Sequence, residues 1–181
     1  DFIDNTFGGS NEAPIIGDVE TDLLCGEGSA YEFYGGTNNA DIYGNVTLNV
    51  HGGITTNLYG GSKGSERPAN IKKFPAADYN WTLNPNEYPD AVKAYMIAHS
   101  PHPEDEDPST STLCGHGGNV IVNLYGGTIT NVFGGSNISG NIEGTIWVNV
   151  IDAEGPCPLD ITNLYGGCNN TDYEPVGNTA A

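Results

Sequence analysis

Short runs of alternating apolar and polar residues recur along the chain, and glycine and asparagine bound each of them. In the segment Gly44–Ser62, Val46–Val50 alternates in this way, and a second run, Ile54–Tyr59, closes on a Gly-Gly pair. A shorter run, Asp41–Tyr43, precedes both. A period of two with β-branched residues predicts β-strands, and the Gly/Asn clusters predict turns. The pattern therefore predicts up to three short strands in each unit.

The whole unit repeats. Gly118–Ser136 matches Gly44–Ser62, a weaker copy occupies Gly17–Asn39, another opens at Gly144, and Asn5–Asn11 is the end of one more. Each copy closes on an aromatic residue followed by Gly-Gly, and these aromatics are Phe7, Tyr34, Tyr59, Phe133 and Tyr165. They recur about every 27 residues once an insertion is set aside, which is the size of one turn of a parallel β-helix.

We therefore predict an all-β fold, a right-handed parallel β-helix (solenoid) of about four coils with one long, partly helical insertion. Residues 1–62 and 114–181 are predicted to form the coils and residues 63–113 the insertion, all within one domain. The insertion is predicted to contain a helix that starts at Pro89-Asp90 and continues over Ala91–Ala98.

The charge of the chain is strongly asymmetric. There are 23 acidic and 5 basic residues, for a formal net charge of −18. Every basic residue lies in the insertion, which is therefore predicted to pack on the acidic coils, either as a brace or as a functional loop; these residues are Lys63, Arg67, Lys72, Lys73 and Lys93. The acidic coils would repel phosphate, so nucleic acid is not expected as a partner. No apolar run is long enough to predict a membrane span.

Two groups of residues are candidate metal ligands. Asp18, Glu20 and Asp22 alternate along one strand face, and such a row predicts either a calcium site or a solvated acidic face. The sequence HSPHPEDEDP predicts either a site for zinc or another divalent ion or a solvated loop. The candidate ligands in that second group are His99, His102, Glu104 and Glu106.

The four cysteines are predicted to form disulfides. Cys157 and Cys168 lie in the same repeat unit, so a bond between them is expected. Cys25 and Cys114 would then pair if the insertion returns Cys114 to the first coil. An even cysteine count together with a repeat architecture favours an extracellular setting.

The closing aromatics are expected to stack in a column, whose direction the pattern leaves open. If the rings point inward they form core, since a stack of aromatics fills a corner well. If they point outward they form a stripe for stacking on sugar rings, with Tyr34, Tyr59, Phe133 and Tyr165 as the carbohydrate contacts.

The Gly-Gly-x-Asn and Asn-[Leu/Val]-[Tyr/Phe]-Gly-Gly phrases of Gly17–Ser62 and Gly118–Asn170 resemble those of large adhesin-like surface proteins of host-associated microbes. That resemblance implies a right-handed parallel β-helix of the pectin-lyase-like type in a secreted or surface-anchored protein used for adhesion, display or fibre building.

The expected function is that of an extracellular structural or adhesive segment, either self-associating along the solenoid axis as a fibre subunit or continuing in a longer chain. Calcium is the one expected cofactor, and glycans are the other class of partner considered. The alternative is a carbohydrate-binding or carbohydrate-cleaving module. No catalytic residues are predicted, because no triad, phosphate loop or paired-acid motif stands out.

Overall fold

The computed structural model describes residues 2–26, 28–151 and 155–176. Ten strands lie in two parallel sheets, and the insertion carries one α-helix within this part of the chain. The strands are β1 (Ile3–Phe7), β2 (Ile15–Ile16), β3 (Val19–Leu23), β4 (Ser29–Tyr34), β5 (Ile42–Tyr43), β6 (Val46–Tyr59), β7 (Ile71–Lys72), β8 (Val120–Phe133), β9 (Ile146–Val150) and β10 (Leu159–Tyr165).

The larger sheet is built on two long strands, β6 and β8, each of 14 residues. Their first halves pair with β3 on one side and β9 on the other. Their second halves belong to the path β1-β4-β6-β8-β10. The first half of the sheet is thus four strands wide and the second half five, all parallel. The smaller sheet contains the two-residue strands β2, β5 and β7.

The predicted all-β, right-handed parallel β-helix is wrong. The described residues form a mixed α/β structure, a seven-stranded parallel sheet plus a three-stranded one and a helix, with no closed solenoid. The glycines Gly52 and Gly53 do not end a strand as expected, because β6 runs straight through them with only a shift of register between Val50 and Ile54. Two predicted short strands are therefore one long strand.

The repeats nevertheless pair in register, equivalent residue against equivalent residue. Val46 lies opposite Val120, and Tyr59 lies opposite Phe133. Alternate residues of each strand are consequently apolar on the same face, and they form one buried cluster. Its fully buried members include Ile42, Val46, Leu48, Val50, Leu58, Ile71, Val120, Val122, Leu124, Val132 and Ile142.

The insertion forms a second, smaller core. The predicted helix is confirmed as α1 (Asp90–Ala98), which buries Val92 and Met96 against Tyr43 and Phe74. Two short 3-10 helices follow, Pro103–Asp105 and Pro108–Thr110. Within the described residues no helix combines the length and apolarity needed to cross a membrane.

Two lysines tie the insertion to the repeats. Lys63 lies 3.1 Å from Glu32, and Lys72 lies 3.3 Å from Asp41. The expectation that the basic insertion packs on the acidic repeats is therefore confirmed, and both ion pairs are partly buried, where charges interact more strongly than on an open surface.

Candidate functional site: side-chain columns and an open sheet edge

The aromatic residues that close the repeats form one continuous column across the larger sheet. Their ring centroids are 4.7 to 5.0 Å apart, and neighbouring rings lie within 12° of parallel. Tyr34 and Tyr59 are buried, Phe133 is half-buried, and Tyr165 on the last strand is 48% exposed. The column is thus core in its middle, and among the four predicted carbohydrate contacts only Tyr165 presents much of its ring to solvent.

Burial changes the chemistry of the inner tyrosines. The Tyr34 hydroxyl donates to Glu32 and accepts from Asn137, at 2.9 and 2.7 Å. Desolvation raises the pKa of Tyr34 far above its usual range and raises that of Tyr59 to about 12. Both hydroxyls therefore remain protonated at neutral pH and act as structural hydrogen-bonding groups.

Asparagine side chains form parallel columns of their own. Asn149 donates to Asn123, and Asn123 donates to Asn49, each at 2.8 Å. A second column joins Asn163 to Asn131 and Asn131 to Asn57, each at 2.9 Å. In each bond the amide of the later repeat donates to the carbonyl oxygen of the earlier one. All the amides therefore point the same way, which gives the repeat stack a polarity.

The predicted calcium ligands lie at the start of these columns. Asp22 accepts from the Asn49 amide at 3.0 Å, and Glu20 accepts from the same amide at 3.3 Å. Asp18 accepts from the backbone N–H of Asn45 at 2.7 Å. These carboxylates are engaged as hydrogen-bond acceptors that begin the amide columns, so the geometry adds nothing to the calcium prediction, which stays a prediction.

The histidine-rich segment of the insertion is spread over several turns. The His102 ring lies 3.4 Å from Glu104, and both are exposed. His99 instead bonds the carbonyl oxygen of Tyr95 at 2.8 Å, while Glu106 adopts a left-handed conformation after the 3-10 helix. Over the described ranges no three His, Cys, Asp or Glu side chains are grouped so that they could hold a metal ion.

The predicted cysteine pairing is wrong. Cys25 bonds to Cys157, whereas Cys114 and Cys168 are free thiols. The bond lies against Gly52, where an added Cβ would approach both Cys25 and the Cys157 sulfur. It therefore joins the repeat that holds β3 and β4 to the last repeat, beside the glycine pair of β6. Burial raises the pKa of both free thiols, which keeps them protonated near neutral pH.

The glycine pairs that follow each aromatic residue explain why the repeats can stack so closely. A Cβ added at any glycine of the first four pairs would lie within 3.0 Å of an atom in the next repeat; these are Gly8, Gly9, Gly35, Gly36, Gly60, Gly61, Gly134 and Gly135. At the last pair, Gly166 and Gly167, it would meet no atom of the described residues within 4 Å. The inner glycine pairs are thus required by the repeat that lies against them, and among the described residues the space beside the last pair is open.

Strand β10 forms an open edge. Among the residues that the structure describes it pairs only with β8, and Leu164 and Tyr165 are 42% and 48% exposed. At the opposite edge of the same half-sheet, β1 pairs only with β4, and Ile3 is 60% exposed. Both edges therefore offer unpaired backbone groups beside apolar side chains, the arrangement that recruits a further strand.

The insertion also borders a pocket of about 420 Å3. Its lining includes the aromatic residues Phe74, Tyr79 and Tyr88 and the charged residues Lys73, Asp78 and Glu143. Tyr79 and Tyr88 meet edge to face, with their centroids 5.1 Å apart. Aromatic walls with a few polar groups are typical of small-molecule pockets.

Sequence reasoning singled out the aromatic column but missed the open glycine pair and the aromatic pocket. The glycine motif itself was visible in the sequence, whereas the space beside each glycine depends on which strand lies next to it. The pocket draws Glu143 from a repeat and Tyr88 from the insertion, and the sequence carries no signal that brings them together.

Comparison with known proteins finds no matching family model, no significantly similar curated protein and no significantly similar solved structure. The resemblance to adhesin-like surface proteins therefore stays a prediction from motifs.

Proposed function

We propose that this chain is an extracellular structural or adhesive segment that associates with further copies of itself along the direction in which its repeats stack. The single observation that carries the proposal is the open edge at β10. The inner repeats require the Gly-Gly pair because another strand lies against it, and Gly166 and Gly167 keep this pair at the open edge.

Three further features support a structural role. Stacked rings run through all five repeats, and hydrogen-bonded asparagines join three repeats in each of two columns, which makes the stack regular and polar. The Cys25–Cys157 disulfide fastens the repeat that holds β3 and β4 to the last repeat. Disulfides persist mainly in oxidising compartments, which agrees with secretion or display at a cell surface.

Sedimentation velocity of the purified chain over a range of concentrations tests the proposal. If copies associate, the average mass should rise with protein concentration. The net charge of −18 opposes association, so added salt, which screens the repulsion, should raise the average mass further. A monomer at every concentration and ionic strength would overturn the self-association.

The aromatic pocket favours a second candidate function, the binding of a neutral sugar ring. The half-buried rings of Tyr79 and Tyr88 can pack against the C–H face of a sugar, and Glu143 can accept hydrogen bonds from its hydroxyl groups. Calorimetric titration with neutral monosaccharides tests it. Binding should be lost in Tyr88→Ala and kept in Tyr125→Ala, a tyrosine that stacks on His51 away from the pocket. Equal binding by both variants, or none by the wild type, would exclude this pocket.

A further inference from the structure

The two open edges of the five-stranded half of the larger sheet carry the same closing motif in the same register. Both β1 and β10 lead into the same motif, so Asn5 corresponds to Asn163, Phe7 to Tyr165, and Gly8-Gly9 to Gly166-Gly167. Ser10 corresponds in the same way to Cys168. The register that joins each repeat to the next inside the chain thus has a direct continuation from β10 to a second β1.

We infer that copies of this chain join head to tail, with β10 of one copy pairing in parallel with β1 of the next in the register used between internal repeats. This inference rests on the proposed self-association and specifies its joint. The contact is heterologous and does not close on itself, so it generates a filament.

The hydrogen-bond polarity of the stack fits this joint. Within the chain, Gly134 N–H donates to the carbonyl oxygen of Tyr165, and Gly60 N–H donates to that of Phe133. Continued across the joint, Gly166 N–H donates to Phe7 of the next copy. The side chains continue as well, because the Asn5 amide can donate to Asn163 while its oxygen accepts from Lys63. Donors therefore meet acceptors across the joint both between the backbones and between the asparagine side chains.

The aromatic and glycine columns also continue. Tyr165 exposes nearly half of its surface, and Phe7 of the next copy would stack on it as the inner rings stack on one another. The open space beside Gly166 would receive the carbonyl oxygen of Gly8 in the way that Gly134 receives that of Gly166. The joint thus gives the last glycine pair the role that the other four pairs have within the chain.

The other half of the sheet limits the strength of the joint. Each copy contributes five strands to the second half of the sheet but four to the first. When β1 of one copy pairs with β10 of another, β3 of the first copy and β9 of the second face each other across a gap one strand wide. The pairing surface is therefore confined to one half-sheet, and we expect weak, concentration-dependent association that salt promotes.

A cysteine placed opposite Cys168 tests the register directly. Neighbouring strands lie about 4.8 Å apart, within reach of a disulfide. Under a thiol oxidant, Ser10→Cys should give a ladder of covalent oligomers on non-reducing gels. The matched control, Ser10→Cys combined with Cys168→Ser, should give no ladder although Cys114 is still present. A ladder of equal yield from the control, or none from Ser10→Cys, would overturn the joint.

A glycine substitution tests the same joint without new chemistry. Gly166→Ala should leave the unfolding midpoint unchanged, because its Cβ meets nothing in its own chain, and should abolish the concentration-dependent rise in mass. Gly26→Ala is the matched control, since Gly26 is equally open but lies beside Cys25 at the disulfide turn. If the wild type associates while Gly166→Ala associates equally well, the joint is wrong and self-association stands. If the wild type never associates, both the proposed joint and the proposed self-association are wrong.

Discussion

Removing the Cys25–Cys157 bond tests how far the repeats depend on a covalent link. The bonded cysteines are 132 residues apart, so the bond closes most of the chain into one loop. The chain-entropy relation assigns about 5 kcal/mol to closing a loop of that length. We expect the double variant Cys25→Ser/Cys157→Ser to lose between about 2 and 5 kcal/mol of its free energy of unfolding, the range found when native disulfides are removed.

Equilibrium unfolding in urea, followed by circular dichroism, measures this loss for the wild type, the wild type with reductant, and the double variant. The two disulfide-free samples should agree with each other. Cys168→Ser is the matched control, because serine occupies the equivalent position in the repeats at Ser62 and Ser136, and it should change stability by less than about 1 kcal/mol.

Two results would refute the reasoning. One is a loss below about 1 kcal/mol in the double variant, which would mean that the loop contributes no constraint in the unfolded chain. The other is a peptide map of the unreduced protein that joins Cys157 to Cys168.

Three further predictions concern the stack itself. Gly60→Ala places a Cβ against the Gly134 carbonyl and Val122, so the free energy of unfolding in urea should fall by about 1 to 3 kcal/mol; an unchanged midpoint would show that the repeats can separate at little cost. Asn123→Ala removes two hydrogen bonds and should cost about 2 kcal/mol, twice the loss in Asn149→Ala, which removes one; equal losses would contradict a continuous column. Because burial raises the pKa of Tyr59 to about 12, the neutral phenol stabilises the fold fully below the unfolded value of about 10, and this contribution should disappear as the pH rises from about 10 to 12. Urea unfolding across that range measures it, and a Tyr59→Phe variant that loses stability as steeply as the wild type would rule Tyr59 out as the cause.

Much of the local structure could be predicted from the sequence, because repeated motifs pair with their own equivalents. The alternation in Val46–Val50 and Ile54–Tyr59 indicated strands, and Pro89-Asp90 marked the start of α1. The fold class could not be predicted in the same way. By composition Gly52-Gly53 predicts a turn. However, β8 carries its own glycine pair, Gly126-Gly127, beside it, and β6 and β8 stay paired on both sides of these glycines.

The disulfide and the roles of the acidic residues depend on distances that the sequence does not encode. Cys157 and Cys168 are near in sequence, but Cys157 is bonded to Cys25, and both of these cysteines lie against Gly52 of β6. Asp18 and Asp22 alternate along one strand face, which predicts calcium ligands, and this stays a prediction. Their partners are amides from the next repeat, Asn45 and Asn49, which only the parallel register supplies.

The most direct test of head-to-tail stacking is the axial repeat of the assembled protein in electron micrographs of concentrated, high-salt samples. Five strands of each copy lie along the stacking direction in the half-sheet that forms the joint. At about 4.8 Å per strand, the account predicts unbranched filaments one chain wide with a repeat of about 24 Å. Dispersed particles, closed rings or filaments with a different axial repeat would contradict it.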